Sequence, residues 1–180
     1  MRMPKFEKSS PFEIRISPHL QSAYNLARWL TKNDFDAEDV MQESMIKAFR
    51  FFNNLKNEDI KPWFLQIVRN TSFSWLKRNH NFVNYSDDLL EKVLEESREH
   101  TDTSETLLLH ATSIGEIKTA MESLPPELRE VLILREFEDL SYKEISTVIC
   151  TKEGTVMSRL SRAREKLKEQ LIQKRKGVNL

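Results

Sequence analysis

Val156, Leu160, Ala163, Leu167 and Leu171 recur at steps of four, three, four and four residues near the end of the chain. That spacing sets apolar side chains in one stripe along an α-helix. A chain that ends this way must supply a second apolar surface for the stripe to lie on, and the residues before it read as further helices. Leu20, Tyr24, Ala27 and Leu30 give a stripe to be buried over a segment from about Pro18 to Thr31. Asp36, read as an N-cap with Asp39 at the third helical position, opens a second segment. Its Val40, Met41, Ser44, Met45, Ala48, Phe49 and Phe52 share one broad face. Asn53 to Asp59 reads as a loop, and Pro62, where a missing N–H does no harm, launches a third segment from Lys61 to Asn79. Only three glycines in 180 residues leave little room for tight turns, and 31% charged with 39% hydrophobic residues suits helices. The fold class expected is all-α.

Between about Asn81 and Ser113 the periodicity weakens, and from Asn81 to His110 eight acidic residues face two basic ones. From Thr151 to Lys176 the balance reverses, with nine basic and three acidic residues. Residues 1–80 and 114–180 therefore read as two small helical domains joined by an acidic linker, 81–113. A formal net charge of zero argues against tight DNA binding by the chain on its own. No apolar run is long enough to cross a membrane, and Met1 to Ser10 has no apolar signal core, so a cytoplasmic protein is expected. The single cysteine, Cys150, excludes an internal disulfide and is expected to be a small buried packing residue. His19, His80, His100 and His110 are scattered, so no metal site or cofactor is implied. No phosphate-binding glycine loop, nucleophile signature or His and carboxylate set appears, which points away from an enzyme.

Three surfaces carry chemistry instead. The outer face of the second segment collects Asp39, Gln42, Glu43, Ile46, Lys47 and Arg50, and a face turned only to water has no use for Ile46. The Lys61 to Asn79 segment mixes Trp63, Phe64, Ile67, Val68, Phe73, Trp75 and Leu76 with Lys61, Arg69, Lys77 and Arg78, without an acid. Phe64, Ile67 and Val68 are expected in the core, while basic and aromatic groups left outside could stack on bases or meet phosphates. Near the end, Ser141 and Glu144 form a capping-box start for a segment reaching Ile149, Cys150 and Thr151 make a turn, and the last helix runs from about Lys152 to Gln173. Opposite its apolar stripe stand Thr155, Ser158, Arg159, Arg162 and Lys166, hydroxyls and guanidinium forks suited to a DNA groove.

Leu124-Pro125-Pro126-Glu127-Leu128-Arg129-Glu130-Val131, Leu140-Ser141-Tyr142-Lys143-Glu144-Ile145 and Gly154-Thr155-Val156-Met157-Ser158-Arg159-Leu160-Ser161-Arg162-Ala163-Arg164 resemble region 4 of RNA polymerase sigma factors. Asp36-Ala37-Glu38-Asp39-Val40-Met41-Gln42-Glu43, then Lys47-Ala48-Phe49 and Trp63-Phe64-Leu65-Gln66-Ile67-Val68-Arg69-Asn70, resemble region 2 of the same family. Both blocks in this order, around an acidic linker, are similar to the extracytoplasmic-function branch. The resemblance implies binding to core RNA polymerase, on the clamp helices of its largest subunit, through Asp39, Gln42, Glu43 and Lys47, the strip that also holds Ile46. It implies that the third segment and the Phe52 to Lys56 loop open and read the minus-ten promoter element, with Arg69, Asn70, Lys77 and Arg78 as candidates. It implies minus-thirty-five recognition by Ser158, Ser161 and Arg162 near bases, and Thr155 and Arg159 near phosphates.

The chain departs from the family pattern at Ser74, usually an acid, at Trp75 and Lys77, at Met157, usually basic, and at Cys150, usually a turn glycine. A positive φ at Cys150 would carry strain. The competing readings are an autonomous helix-turn-helix transcriptional regulator and a helical adaptor that binds only protein. A further expectation is that the free protein is kept off DNA, either by an anti-sigma partner or by its two domains packing together with the acidic linker near the basic helix.

Overall fold

The computed structural model describes residues 10–55, 59–79 and 114–178, with side chains as far as residue 173. The expected linker, 81–113, lies outside these residues. Every regular element among them is helical. The short α1, Pro11–Ile16, is stabilised by a capping box in which Ser10 Oγ accepts the Glu13 N–H at 3.2 Å and the Glu13 carboxylate accepts the Ser10 N–H at 2.8 Å. A 3₁₀ turn, Ser17–His19, leads into α2, Leu20–Thr31, whose buried residues are Ala23, Leu26, Ala27, Leu30 and Thr31. The buried arc is therefore rotated from the expected stripe. Because α2 packs chiefly on the two long helices that follow it, its arc centres on Ala23 and Ala27, and Leu20, at the first residue, is left 37% exposed.

Lys32 ends α2 in the left-handed conformation, φ 63°. The next helix, α3, Asp34–Phe51, is capped by Asn33, whose Oδ1 accepts the Phe35 N–H at 2.9 Å. Asp36, expected at the cap, lies within the first turn, where its charge still favours the positive end of the helix. The buried face of α3, Ala37, Val40, Ser44 and Ala48, is built of small residues that let α2 and the helix after α3 approach closely. Phe49 was expected on that face but is 63% exposed, with its ring edge-on to Phe12 at 5.3 Å. Phe12 fills the place beside it and also packs edge-on to Phe52 at 5.2 Å.

After a 3₁₀ turn at Phe52–Asn54, α4, Ile60–Asn79, buries Ile60, Pro62, Phe64, Leu65, Val68, Thr71, Ser72 and Leu76. Phe64 and Val68 are in the core as expected, and Ile67 packs partly buried against it. The two buried hydroxyls remain satisfied, since Thr71 and Ser72 donate to the carbonyls of Ile67 and Val68 at 2.9 and 2.8 Å.

The second half holds α5, Ile114–Ser123, α6, Pro126–Leu132, α7, Tyr142–Ile149, and α8, Glu153–Val178. The last turn of α6 widens into a π-helical turn, Ile133–Phe137. Val156, Leu160, Ala163, Leu167 and Leu171 of α8 are all buried, as their spacing requires. Helix α6 is different in kind, because six consecutive residues from Glu127 to Leu132 are buried, three of them charged. Among these, Arg129 spends its guanidinium on helix C-termini. Its Nε and Nη2 donate to Met121, Glu122 and Leu124 carbonyls at 3.0, 3.1 and 2.6 Å, and Nη1 donates to the Trp29 carbonyl at 2.7 Å. It thus joins the end of α5 to the end of α2, and burial pushes its pKa down to about 10.

The two halves pack on each other, α4 against α7 and α2 against α6, and their buried side chains form one apolar cluster. At the rim, Lys61 Nζ donates to the Glu138 carbonyl at 2.8 Å and lies 3.4 Å from its carboxylate, while Asn25 Nδ2 approaches that carboxylate at 3.5 Å. The direct packing of the two halves agrees with one form of the expectation for the free protein; the acidic linker's part in it lies outside the described residues.

Candidate polymerase and nucleic-acid surfaces

The outer face of α3 is arranged as its sequence reads. Asp39, Gln42 and Ile46 are exposed, Ile46 by 55%, and Glu43 and Lys47 are half-buried beside them. Glu43 is also a junction between surfaces. Its carboxylate is bonded to Lys47 Nζ at 2.7 Å and to Arg78 Nη2 at 3.1 Å, and Lys47 donates onward to Thr71 Oγ1 at 3.1 Å. The Lys47 hydrogen bond, outweighing partial burial and helped by Arg78, holds the Glu43 pKa below the ordinary carboxylate range. One carboxylate of the polymerase candidate set therefore holds a cation of the minus-ten candidate set.

Helix α4 carries two polar faces. Asn70, Ser74, Lys77 and Arg78 are exposed together, at helical spacings of four, three and one. Arg69, grouped with them in the sequence, points elsewhere. Its guanidinium stacks on Phe73, 4.1 Å from the ring centroid, and forks onto Glu130 of α6, with Nε at 2.8 Å and Nη2 at 3.1 Å from the two oxygens. Burial pulls the Arg69 pKa down, and the hydrogen bond and charge of Glu130 more than reverse this. Trp75 packs partly buried against the core.

In the second half, α7, the turn and α8 form a helix-turn-helix. The capping box at its start is present as expected: Ser141 Oγ accepts the Glu144 N–H at 3.3 Å, and the Glu144 carboxylate accepts the Ser141 N–H at 2.7 Å. The turn closes as a Schellman motif, with the Cys150 N–H on the Thr147 carbonyl at 3.3 Å and the Thr151 N–H on the Ser146 carbonyl at 3.0 Å. Cys150 has a positive φ, 54°, so the turn carries the strain that such a backbone implies. It is not buried, however: a left-handed residue at this position points its side chain out of the turn, and Cys150 is exposed with Gln66 Nε2 2.7 Å from its Sγ.

On α8, Ser161 is exposed and Thr155, Ser158 and Arg162 are half-buried, with the Ser158 hydroxyl donating to the Thr155 carbonyl at 3.0 Å. Arg159 is buried, its Nη1 3.7 Å from Glu130. Met157, at a position often basic in the family, is 55% exposed. Glu130 and the Lys61, Gln66, Arg69 side of α4 are what sequence reasoning missed. Their only signal was the absence of any acid from a long, strongly basic helix that had to find its counter-charges elsewhere.

Residues 16–82 match the model of Sigma-70 region 2, and residues 114–167 that of Sigma-70, region 4. The chain is 31% identical over 158 residues to the ECF RNA polymerase sigma factor SigE of Mycolicibacterium smegmatis, covering 87% of this chain and 60% of that relative. It is 32% identical over 157 residues to the RNA polymerase sigma factor SigV of Bacillus subtilis, covering 87% of this chain and 88% of that one. The fold is shared with the sigma factor RpoE of Bartonella quintana, solved in complex with the anti-sigma factor NepR. That match has a TM-score of 0.66 at 23% identity and spans 89% of this chain and 96% of the other. With both regions matched in order on helices whose outer faces are laid out as described, the chain belongs to the extracytoplasmic-function family of RNA polymerase sigma factors.

Proposed function

We propose that this chain binds core RNA polymerase through the outer face of α3 and directs transcription initiation at promoters read by α4 and α8. The observation that carries this reading is Ile46, a large apolar side chain standing 55% exposed amid Asp39, Gln42, Glu43 and Lys47. A helical partner with an apolar seam would cover it, and the clamp helices of the largest polymerase subunit are that partner. Residues 1–80 act as region 2, 81–113 as an acidic linker and 114–180 as region 4. Asn70, Lys77 and Arg78, with Arg69 once it is freed, meet the minus-ten element. Ser158, Ser161 and Arg162 meet bases of the minus-thirty-five element, and Thr155 and Arg159 its phosphates. RNA synthesis belongs to the polymerase; the chain works in the cytoplasm, needs no cofactor, contributes no catalytic group and is held in reserve by an anti-sigma partner.

The test is reconstitution with sigma-free core polymerase on a genomic DNA library, with the transcript 5′ ends sequenced. New starts sharing an upstream pair of motifs, lost with Gln42→Ala or Ile46→Glu protein, are expected. Absence of starts, together with paired-site DNA binding by the protein alone, would favour an autonomous regulator.

A further inference from the structure

Two arginines assigned to DNA, one from each half of the molecule, converge on a carboxylate with no exposure to solvent. Arg69 of α4 grips Glu130 with a two-pronged fork, the geometry a guanidinium also uses on phosphate, and Arg159 of α8 stands 3.7 Å from the same carboxylate. One turn earlier on α6, Glu127 is also buried, with its Oε2 making no hydrogen bond. We propose that Glu130 is an internal stand-in for DNA phosphate, holding Arg69 and Arg159 in the closed molecule, and that Arg69 reaches DNA only once α4 separates from α6 and α7. This rests on the reading of Arg69 and Arg159 as DNA contacts.

The arrangement also makes release all-or-none. Gln66 donates to the Thr147 carbonyl at 3.2 Å, and Lys61 reaches Glu138, so Arg69 sits in a row of contacts along one side of α4. If Arg69 left alone, Glu130 would stay away from water with only the 3.7 Å contact to Arg159, a costly state that separation of the whole helix avoids. Lys77 stays exposed on α4, while Arg78 is paired with Glu43 and Asn70 Oδ1 accepts from Arg69 Nη1 at 3.3 Å. In the closed molecule the two DNA surfaces are each incomplete by one arginine.

The experiment measures binding of the full chain to random-sequence duplex DNA by fluorescence anisotropy across a salt series, with circular dichroism to follow folding. Glu130→Gln keeps the shape and removes the charge. Its DNA affinity should rise by about tenfold or more as the competent state is unmasked. The slope of log affinity against log salt should steepen by about two, one phosphate contact for each freed arginine. Adding Arg69→Gln and Arg159→Gln should abolish both increments. A folded Glu130→Gln protein with unchanged affinity and slope overturns the proposal.

A second arm keeps Glu130 in place. Gln66→Cys is paired with the native Cys150, and the two thiols are bridged by dibromobimane, which fluoresces once it links them. With core polymerase and promoter DNA, the bridged protein should fail to initiate while the unbridged protein does. Initiation by the bridged protein overturns the clasp and leaves the sigma reading standing; absence of starts from the unbridged wild-type chain overturns both.

Discussion

Arg129 offers five N–H donors, and the carbonyls it meets belong to the last turns of α2 and α5, where four acceptors per helix lack internal partners. Replacing it removes several buried bonds at once. Arg129→Met should lower unfolding free energy by about 3 kcal/mol, the cost of leaving more than one buried acceptor unpaired, seen as a lower urea midpoint. Cys150 gives the opposite expectation. Its left-handed backbone costs a side-chain-bearing residue about 1 kcal/mol that glycine avoids. Cys150→Gly should therefore raise the thermal midpoint, less whatever the Gln66 contact supplies. The strain at Cys150 was legible from the turn it occupies. Its exposure was not, because small thiols are usually buried and only the φ angle reveals that this one points outward.

Among the elements, the buried stripe of α8 was readable because it has the helical period along the side that packs on α5, α6 and α7. Helix α1 was not, since six residues hold too few apolar positions to show a period. Helix α6 holds what periodicity does not show: Glu127, Arg129 and Glu130 are charged, yet each is buried. Helix α7 depends on its start. Ser141→Ala should cost about 1 kcal/mol, measured by chemical denaturation. The hydrogen bond from the Ser141 side chain, followed by that from its backbone, holds the Glu144 pKa below the ordinary carboxylate range. A depressed folded pKa means that the stabilisation is fully present above the unfolded value, near 4.5, and is lost as pH falls through the folded value. The stability gap between wild type and Glu144→Gln should accordingly narrow on acidification below that value, in urea titrations at a series of pH values.

For the molecule as a whole, family, helical content and the outer face of α3 were present in the sequence, whereas Arg159, expected on the outer face of α8, is buried beside Glu130. The packing of one half on the other was only one of two alternatives there, because the polar side chains at its rim, Lys61, Gln66 and Arg69, carry no periodic signal. The closed arrangement should respond to charge at its rim. Lys61→Glu places a carboxylate against the buried Glu138, and the resulting repulsion should speed hydrogen exchange at the amides of α7 and the facing side of α4, while α3 is unaffected. Equal exchange in both proteins would show that the rim contact does not hold the halves together.

Adjacent residues of α6 reach across in two different ways. Arg129 takes hold of a main-chain carbonyl, Trp29, which any residue at that place would present, whereas Glu130 needs the side chain of Arg69. A hybrid made by grafting the first half of a distant relative onto this second half would therefore inherit the first tie automatically. The second would be inherited only if the donor helix happened to supply an arginine in register. Recombination between family members can exchange these halves freely in evolution only at the risk of orphaning that one acid, so the two halves of this chain are expected to co-vary at positions 69 and 130.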